Sequence, residues 1–220
     1  MLEDFLLQVR RPGQYIGREW NVSNKDFDAA AVKFALGFPD LYEVGMSNLG
    51  MRILYGLLNL KPNVICERFF SPDVDLENIL KSQRLSIVSL ESQRKLSEFD
   101  LIGITLPSEL CYTNILNLLE LAFLPLKSCE RDNQYPLIIG GGPCAMNPEP
   151  MHEFFDLFVI GEGEEAIVEI IDIYSANAAD YKKGKISKAE LLFKFSSIGG
   201  VYVPSLQPAQ IKVNLFPMYR

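Results

Sequence analysis

FDLIGITLPSELCYTNILNLLELAFLPL, residues 99–126, joins the two patterns that decide the fold. Its first nine residues form an apolar run of strand formers, which is typical of a buried parallel strand. The remaining residues are mostly apolar and predict a long helix, for which Ser108 is a good N-cap. A strand that leads directly into a helix is half of a βαβ unit.

The same alternation extends along the chain in both directions. Apolar runs predict strands at 32–40, 64–72, 85–92, 136–143 and 154–164, and amphipathic patterns predict helices at 47–60, 73–84 and 164–177. Residues 190–206 predict a short helix, a Gly-Gly turn and a terminal strand. This order predicts a doubly wound α/β fold, Rossmann-like or flavodoxin-like, with helices on both faces of a mostly parallel five-stranded sheet.

The chain divides into three parts by its patterning. Residues 1–29 are too polar for a core strand and too aromatic for a free tail, so we expect an arm that packs on a neighbouring surface. We expect residues 30–178 to form the α/β domain. Residues 179–220, which include a lysine-rich stretch, predict a C-terminal helix and strand extension.

Composition and charge exclude several classes of protein. The 220 residues are 48% hydrophobic and 22% charged, with a net charge of −7, which is ordinary for a globular protein but opposite to the basic footprint of a nucleic-acid binder. No apolar run approaches the ~18–20 residues of a membrane-spanning helix, and the first residues lack the pattern of a signal peptide. We therefore expect a cytoplasmic protein with neither nucleic-acid nor membrane partners.

The residues most used in metal sites and catalysis are few and scattered. The four cysteines form neither C-x-x-C nor C-x-x-x-C-x-x-C, so we expect no metal or cluster site built from this chain alone. His152, the one histidine, precedes a predicted strand and is expected to be a surface or capping residue. The chain also lacks a Walker motif and a dinucleotide fingerprint, and one histidine leaves little room for a catalytic triad.

Candidate site residues follow the predicted strands, because open parallel sheets bind ligands outside the carboxyl ends of their strands. Asp40 and Gly45 flank the turn after the first strand, where an ordinary strand-to-helix turn is the alternative. Thr105 and Ser108 follow the strand at 99–107, and their hydroxyls suit either a ligand or the cap of the next helix.

The strongest local signal is a run of three glycines after the strand at 136–143. Gly140, Gly141 and Gly142 suit a backbone against which a flat ligand lies, and a tight turn is the alternative. Glu162 stands at the end of the last strand before a helix, where it could accept a hydrogen bond from an amide or a ribose hydroxyl.

These strand-end residues resemble the motifs of cobalamin-binding domains of the methionine-synthase type. That family carries D-x-H-x-x-G after its first strand, S-x-L at a later strand end, and then a Gly-Gly motif. Here residues 40–45 read D-x-Y-x-x-G, with Tyr42 in place of the histidine. TLP at 105–107 occupies the position of S-x-L, and the three glycines occupy the position of the Gly-Gly motif. The resemblance implies a cobalamin on one rim of the sheet, with no histidine on its cobalt.

Longer segments resemble the N-terminal part of an uncharacterised bacterial family of radical S-adenosylmethionine (SAM) proteins, in which a cobalamin-binding-like domain precedes a radical SAM core. They include RPGQYIGREWN (11–21), FALGFPDLYEVGMSNLGMRILYGLLN (34–59) and PLIIGGGPCAMNPEPMHEFFDLFVIGEGEE (136–165), and the resemblance covers about 1–206. It implies a cobalamin-binding module that is not catalytic alone. The [4Fe–4S] cluster and SAM would belong to a core that relatives carry in cis.

Two other functions stay open at this point. Loss of the histidine is compatible with a degenerate domain that only docks on the core or on another protein. A flavodoxin-like domain that binds a nucleotide or flavin would use the same rim, but no phosphate-binding loop supports it.

Overall fold

A single, mostly parallel β-sheet forms the centre of the fold. The computed structural model describes residues 2–206. Within that range the strands are β1 (Val32–Phe38), β2 (Val64–Phe70), β3 (Leu101–Thr105), β4 (Leu137–Gly141), β5 (Leu157–Val159) and β6 (Val201–Tyr202). They pair in the order β2-β1-β3-β4-β5-β6, with β1 to β5 parallel and β6 antiparallel to β5. The parallel part has the flavodoxin-like order, whose switch point lies between β1 and β3.

Helices cover both faces of the sheet, as predicted. They are α1 (Tyr42–Ser47), α2 (Leu49–Leu60), α3 (Val74–Gln83), α4 (Tyr112–Leu121), α5 (Gly163–Lys182) and α6 (Lys188–Phe195). Buried side chains of α2, α5 and α6 form one apolar cluster with one face of the sheet, and those of α3 and α4 form a second cluster with the other face. The alternation of side chains along each strand separates the two clusters.

The doubly wound α/β class is confirmed, but the sheet has six strands among the described residues rather than five. The sixth strand, β6, comes from the predicted C-terminal extension, where Gly200 at φ +83° turns the chain back beside β5. Helix α5 also runs across position 178 to Lys182. The division of the chain into domains stays a prediction, and residues 207–220 of the predicted extension lie outside the described residues.

The strand predicted at 85–92 is wrong. That segment makes only an isolated bridge between Val88 and Lys95. Its backbone instead covers the open edge of β2, because the N–H of Leu90 donates to the carbonyl of Arg68 at 2.7 Å. An apolar run of this length fits an edge cover as well as a strand, and the pattern alone does not distinguish them.

Two buried aspartates close the amino edge of the sheet. Asp100 precedes β3 and accepts the N–H of Lys33 at the start of β1, at 2.9 Å. Asp156 precedes β5 and accepts the N–H of Ile138 in β4, at 2.6 Å, while Arg131 lies 3.2 Å from it. Both follow a phenylalanine in the repeated tripeptide FDL. The carboxylates of both aspartates at the amino edge are therefore hydrogen-bonded to strand backbone.

Candidate functional site

A slot of about 300 Å³ opens at the carboxyl edge of the sheet. Its floor is formed by the ends of β1, β3, β4 and β5, and its walls by α2 and the first turns of α5. It therefore lies beside the topological switch point, where open α/β sheets bind ligands. Its volume is at the lower end of the ~300–1,000 Å³ that is usual for small-molecule sites.

The floor of the slot is open where β4 carries a glycine in place of a larger side chain. Ile139 and Gly141 point to the same face of β4, towards α2 and α5. A Cβ atom added to Gly141 would meet no heavy atom within 4 Å. One added to Gly103 on β3 would lie 2.7 Å from the ring of Phe34. Gly141 is thus the glycine of this floor whose missing side chain leaves open space.

The other two glycines of the run have different roles. A Cβ atom on Gly140 would lie 2.6 Å from the ring of Phe158, so packing on the opposite face of the sheet requires glycine there. Gly142 has φ +99°, a conformation that favours glycine, and it turns the chain into the 3₁₀ turn Pro143–Met146. The tight-turn explanation therefore applies to Gly142 and the open-surface explanation to Gly141.

Thr105 and Ser108 have separated roles. Thr105 pairs in register with Gly141 and lines the slot. Ser108 lies outside the slot lining, and its hydroxyl oxygen accepts the N–H of Leu110 at 3.3 Å. The cap role predicted for Ser108 is confirmed.

Glu162 stands at the mouth of the slot. It is exposed and follows Gly161, which has φ +100°. Helix α5 begins at the next residue, and Glu164 and Glu165 occupy its first turn, where carboxylates stabilise a helix.

Asp40 and Gly45 follow β1, and neither of them lines the slot. The Asp40 carboxylate accepts the N–H of Leu41 at 2.7 Å, which stabilises its own turn. A Cβ atom on Gly45 would lie 2.3 Å from the ring of Phe70, so α1 needs glycine to pack on β2. Both residues therefore have sufficient structural reasons to be there.

Tyr42 begins α1 and is held from two sides. Its hydroxyl donates to Glu19 at 2.6 Å, and its ring meets the ring of Phe70 edge-on with centroids 5.4 Å apart. Burial, followed by the hydrogen bond and charge of Glu19, raises the pKa of Tyr42 to about 12. Tyr42 is therefore a neutral phenol whose proton is committed to Glu19.

An ion-pair network beside Tyr42 was not predicted from the sequence. Arg68 is 7% exposed and donates to Glu91 at 2.6 Å and to Glu19 at 2.8 Å. Burial raises the pKa of Glu91 despite the charge of Arg68. Burial also opposes the ionisation of Glu19, but the hydrogen bond from Tyr42 and the charge of Arg68 outweigh it and lower the pKa of Glu19. The sequence did contain a sign of it, because two charged residues, Glu67 and Arg68, lie inside the apolar strand predicted at 64–72.

These contacts tie the N-terminal arm to the site. Glu19 belongs to the arm, and it hydrogen-bonds both Tyr42 at the start of α1 and Arg68 on β2. Gln14 of the arm also donates to Glu43 of α1 at 2.7 Å. The arm therefore fixes α1 next to the carboxyl rim.

The remaining chemistry-bearing residues form no further centre among residues 2–206. The cysteines are free thiols, and no group of three or more His, Cys, Asp or Glu side chains is placed to hold a metal ion. Nδ1 of His152 lies 2.6 Å from the carbonyl oxygen of Glu149, in a turn before β5. No helix in this part of the chain is long and apolar enough to cross a membrane.

The structure thus divides the predicted residues into two neighbouring groups. Thr105, Gly140, Gly141, Gly142 and Glu162 line the slot. The turn that starts at Asp40 lies at the end of β1, next to β3 in the sheet, and Thr105 pairs with Gly141 across β3 and β4. Since these strands are parallel neighbours, the carboxyl rim carries both groups on one side of the molecule.

Comparison with known proteins gives a family and a distant relative. A family model described as "Radical SAM proteins, N-terminal" matches residues 50–204. An uncharacterised protein of Methanocaldococcus jannaschii is 26% identical over 193 residues, which cover 84% of this chain and 34% of that protein. The chain therefore spans about a third of the length of this curated relative. No solved structure matches it.

Proposed function

The chain belongs to the family of N-terminal domains of radical SAM proteins, and from this premise we propose that it is the cobalamin-binding module of such a protein. The cobalamin would lie across the carboxyl rim, with its nucleotide end in the slot. The iron–sulfur cluster and SAM would be held by a radical SAM core that follows in cis. We also propose a cytoplasmic location.

The open floor at Gly141 is the observation that carries this proposal. The slot has an unfilled surface where a side chain would normally project, and it lies at the switch point of the sheet. A backbone without side chains allows a flat group to approach closely. The residues present therefore fit one arm of a large cofactor.

The rim outside the slot suits the larger, planar part of the ligand. Leu110 and Met146 belong to the turns after β3 and β4, and they are 89% and 63% exposed. A planar apolar ligand on the rim would gain from removing this apolar surface from water. A corrin lying on the rim would cover them, and it would meet the turn that carries Asp40.

The chain would position the cofactor rather than perform chemistry itself. Cobalamin, when bound, supplies a cobalt centre for methyl transfer or radical chemistry. Tyr42 holds a neutral hydroxyl that is already bonded to Glu19, so we propose that the cobalt carries no protein ligand from this position. Thr105 and Glu162 would hydrogen-bond the nucleotide end at the mouth of the slot.

Retention of hydroxocobalamin tests the proposal directly. The purified protein is mixed with hydroxocobalamin, desalted, and examined by its visible spectrum. We expect near-stoichiometric corrin absorbance in the protein fraction. A parallel sample with flavin mononucleotide tests the flavodoxin-like alternative. Retention of the flavin without the corrin, or of neither, would contradict our proposal.

A docking function without cofactor is the second candidate, and one observation favours it. Trp20 in the arm is fully exposed and borders a groove of about 680 Å³ against α2, whose residues Leu49 and Leu60 are 65% and 81% exposed. Such a surface suits contact with the core or with another protein. A flat titration with hydroxocobalamin would favour this function over cofactor binding.

A further inference from the structure

The slot changes from polar to apolar with depth. Its mouth carries the exposed Glu162 and Gly142 and the half-buried Asn48, Thr105 and Glu164. Its interior is lined by buried side chains that are almost all aliphatic or aromatic. They include Phe34, Leu36, Leu58, Ile139, Val159 and Ile167.

The side chains of the interior offer no free hydrogen-bonding group among the described residues. The strand backbones of its floor are engaged in the sheet ladder. The side-chain oxygen of Asn48 already accepts the N–H of Met51 at 3.0 Å. The buried polar side-chain atoms that lack a partner belong to Ser71, Arg131 and Tyr181, and none of these residues lines the slot.

From this gradient we infer that the slot selects cobamides by the polarity of their lower base, and that it prefers benzimidazole or phenol bases to adenine. The inference rests on the proposed function, because it concerns the group that enters the slot. The slot is too small for a whole cobamide, so the nucleotide end is the part that enters it.

The physical reason is the cost of burying unpaired polar groups. An adenine base carries an exocyclic amine and several ring nitrogens, which would lose their hydrogen bonds to water and find no partner inside the slot. A dimethylbenzimidazole or cresol base has an apolar far edge, which gains from contact with the leucine, isoleucine and valine walls. We expect a discrimination between about 10- and 100-fold, the range that an apolar pocket achieves against a polar analogue.

Calorimetric titration of the full chain with three cobamides tests the inference. The probes carry 5,6-dimethylbenzimidazole, p-cresol or adenine as the lower base. We expect the first two to bind at least about tenfold more tightly than the third. The cresol form has no nitrogen to coordinate cobalt, so it separates base polarity from the cost of releasing the base from cobalt.

The outcomes separate the two proposals. Equal affinity for the three cobamides, or tighter binding of the adenine form, would overturn the selectivity and leave the proposed function intact. Binding of none of them would refute the proposed function and the selectivity together.

A pair of leucines on α2 provides a matched test of the mechanism. Leu54 lines the slot, whereas Leu57, on the same helix and also half-buried against the same core cluster, does not. Leu54→Gln would offer the adenine a hydrogen-bonding partner, and we expect it to reduce the discrimination about fivefold. Leu57→Gln should leave the discrimination unchanged. Equal effects of the two variants would show that the slot does not read the base.

Discussion

Gly141→Val is the most informative single substitution in this protein. Nothing lies within 4 Å of the position that its Cβ atom would take, and valine favours the extended backbone of β4, so we expect the fold to keep its stability. The three added carbons would project into the slot of about 300 Å³. Overfilling a close-packed site costs about 1–3 kcal/mol, which corresponds to about 5- to 140-fold weaker binding of cobalamin.

Two other glycines make this prediction specific. Gly13 also has nothing within 4 Å, but it lies in the arm, so Gly13→Val should change neither stability nor affinity. Gly140→Val should destabilise the protein by about 1–3 kcal/mol, because its Cβ atom would lie 2.6 Å from the ring of Phe158. Cobalamin affinity is measured by spectrophotometric titration and stability by urea denaturation. An unchanged affinity in a stable Gly141→Val protein would refute the placement of the ligand in the slot.

Three further predictions concern the supports of the site. Asp156→Asn should lower the free energy of unfolding in urea by about 3–5 kcal/mol, because it leaves the buried Arg131 without its partner charge; a loss below 1 kcal/mol would contradict this. Tyr42→Phe removes the hydrogen bond that helps to lower the pKa of Glu19. The stability that Glu19 contributes is present above its ordinary pKa and lost as the pH falls through the lowered value, so acid unfolding followed by far-ultraviolet circular dichroism should begin at a higher pH in the variant. His152→Ala should leave the visible spectrum of retained cobalamin unchanged, because the ring bonds a local carbonyl in a turn before β5, and an altered cobalt spectrum would refute that position.

The fold class could be predicted from the sequence because apolar runs and helical patterns alternate with little ambiguity. β1, β2, β3, β4 and β5 all fall inside predicted strands. The strand predicted at 85–92 was wrong because hydrophobic periodicity does not show which backbone groups a segment will bond. Whether a short apolar run joins a sheet or covers its edge depends on which backbone groups remain unpaired nearby, and here the carbonyl of Arg68 on the edge strand attracts it.

The candidate site could be predicted only in part from the sequence, for a related reason. The rule that ligands bind at the carboxyl ends of parallel strands located the rim, but it did not say which glycine was open. Gly140 and Gly141 are adjacent and identical in sequence, yet one faces the ring of Phe158 and the other faces empty space. The alternation of a strand separates them, and only the packing on each face shows which side holds the slot.

The hydrogen bonds at the amino edge of the sheet help to explain why the carboxyl edge can be open. At the amino edge, the Asp100 and Asp156 carboxylates accept the N–H groups of Lys33 and Ile138, the second residues of β1 and β4. Each also binds a buried or half-exposed cation, and these contacts hold the strands in register there. The register of β4 is thus supported by hydrogen bonds away from the slot, so side-chain packing at position 141 is not its sole support. Glycine at position 141 therefore costs little cohesion, and the sheet can present a bare backbone to a ligand. On this argument, Asp156→Asn should also lower the affinity of the slot for cobalamin, although Asp156 lies at the opposite edge of the sheet.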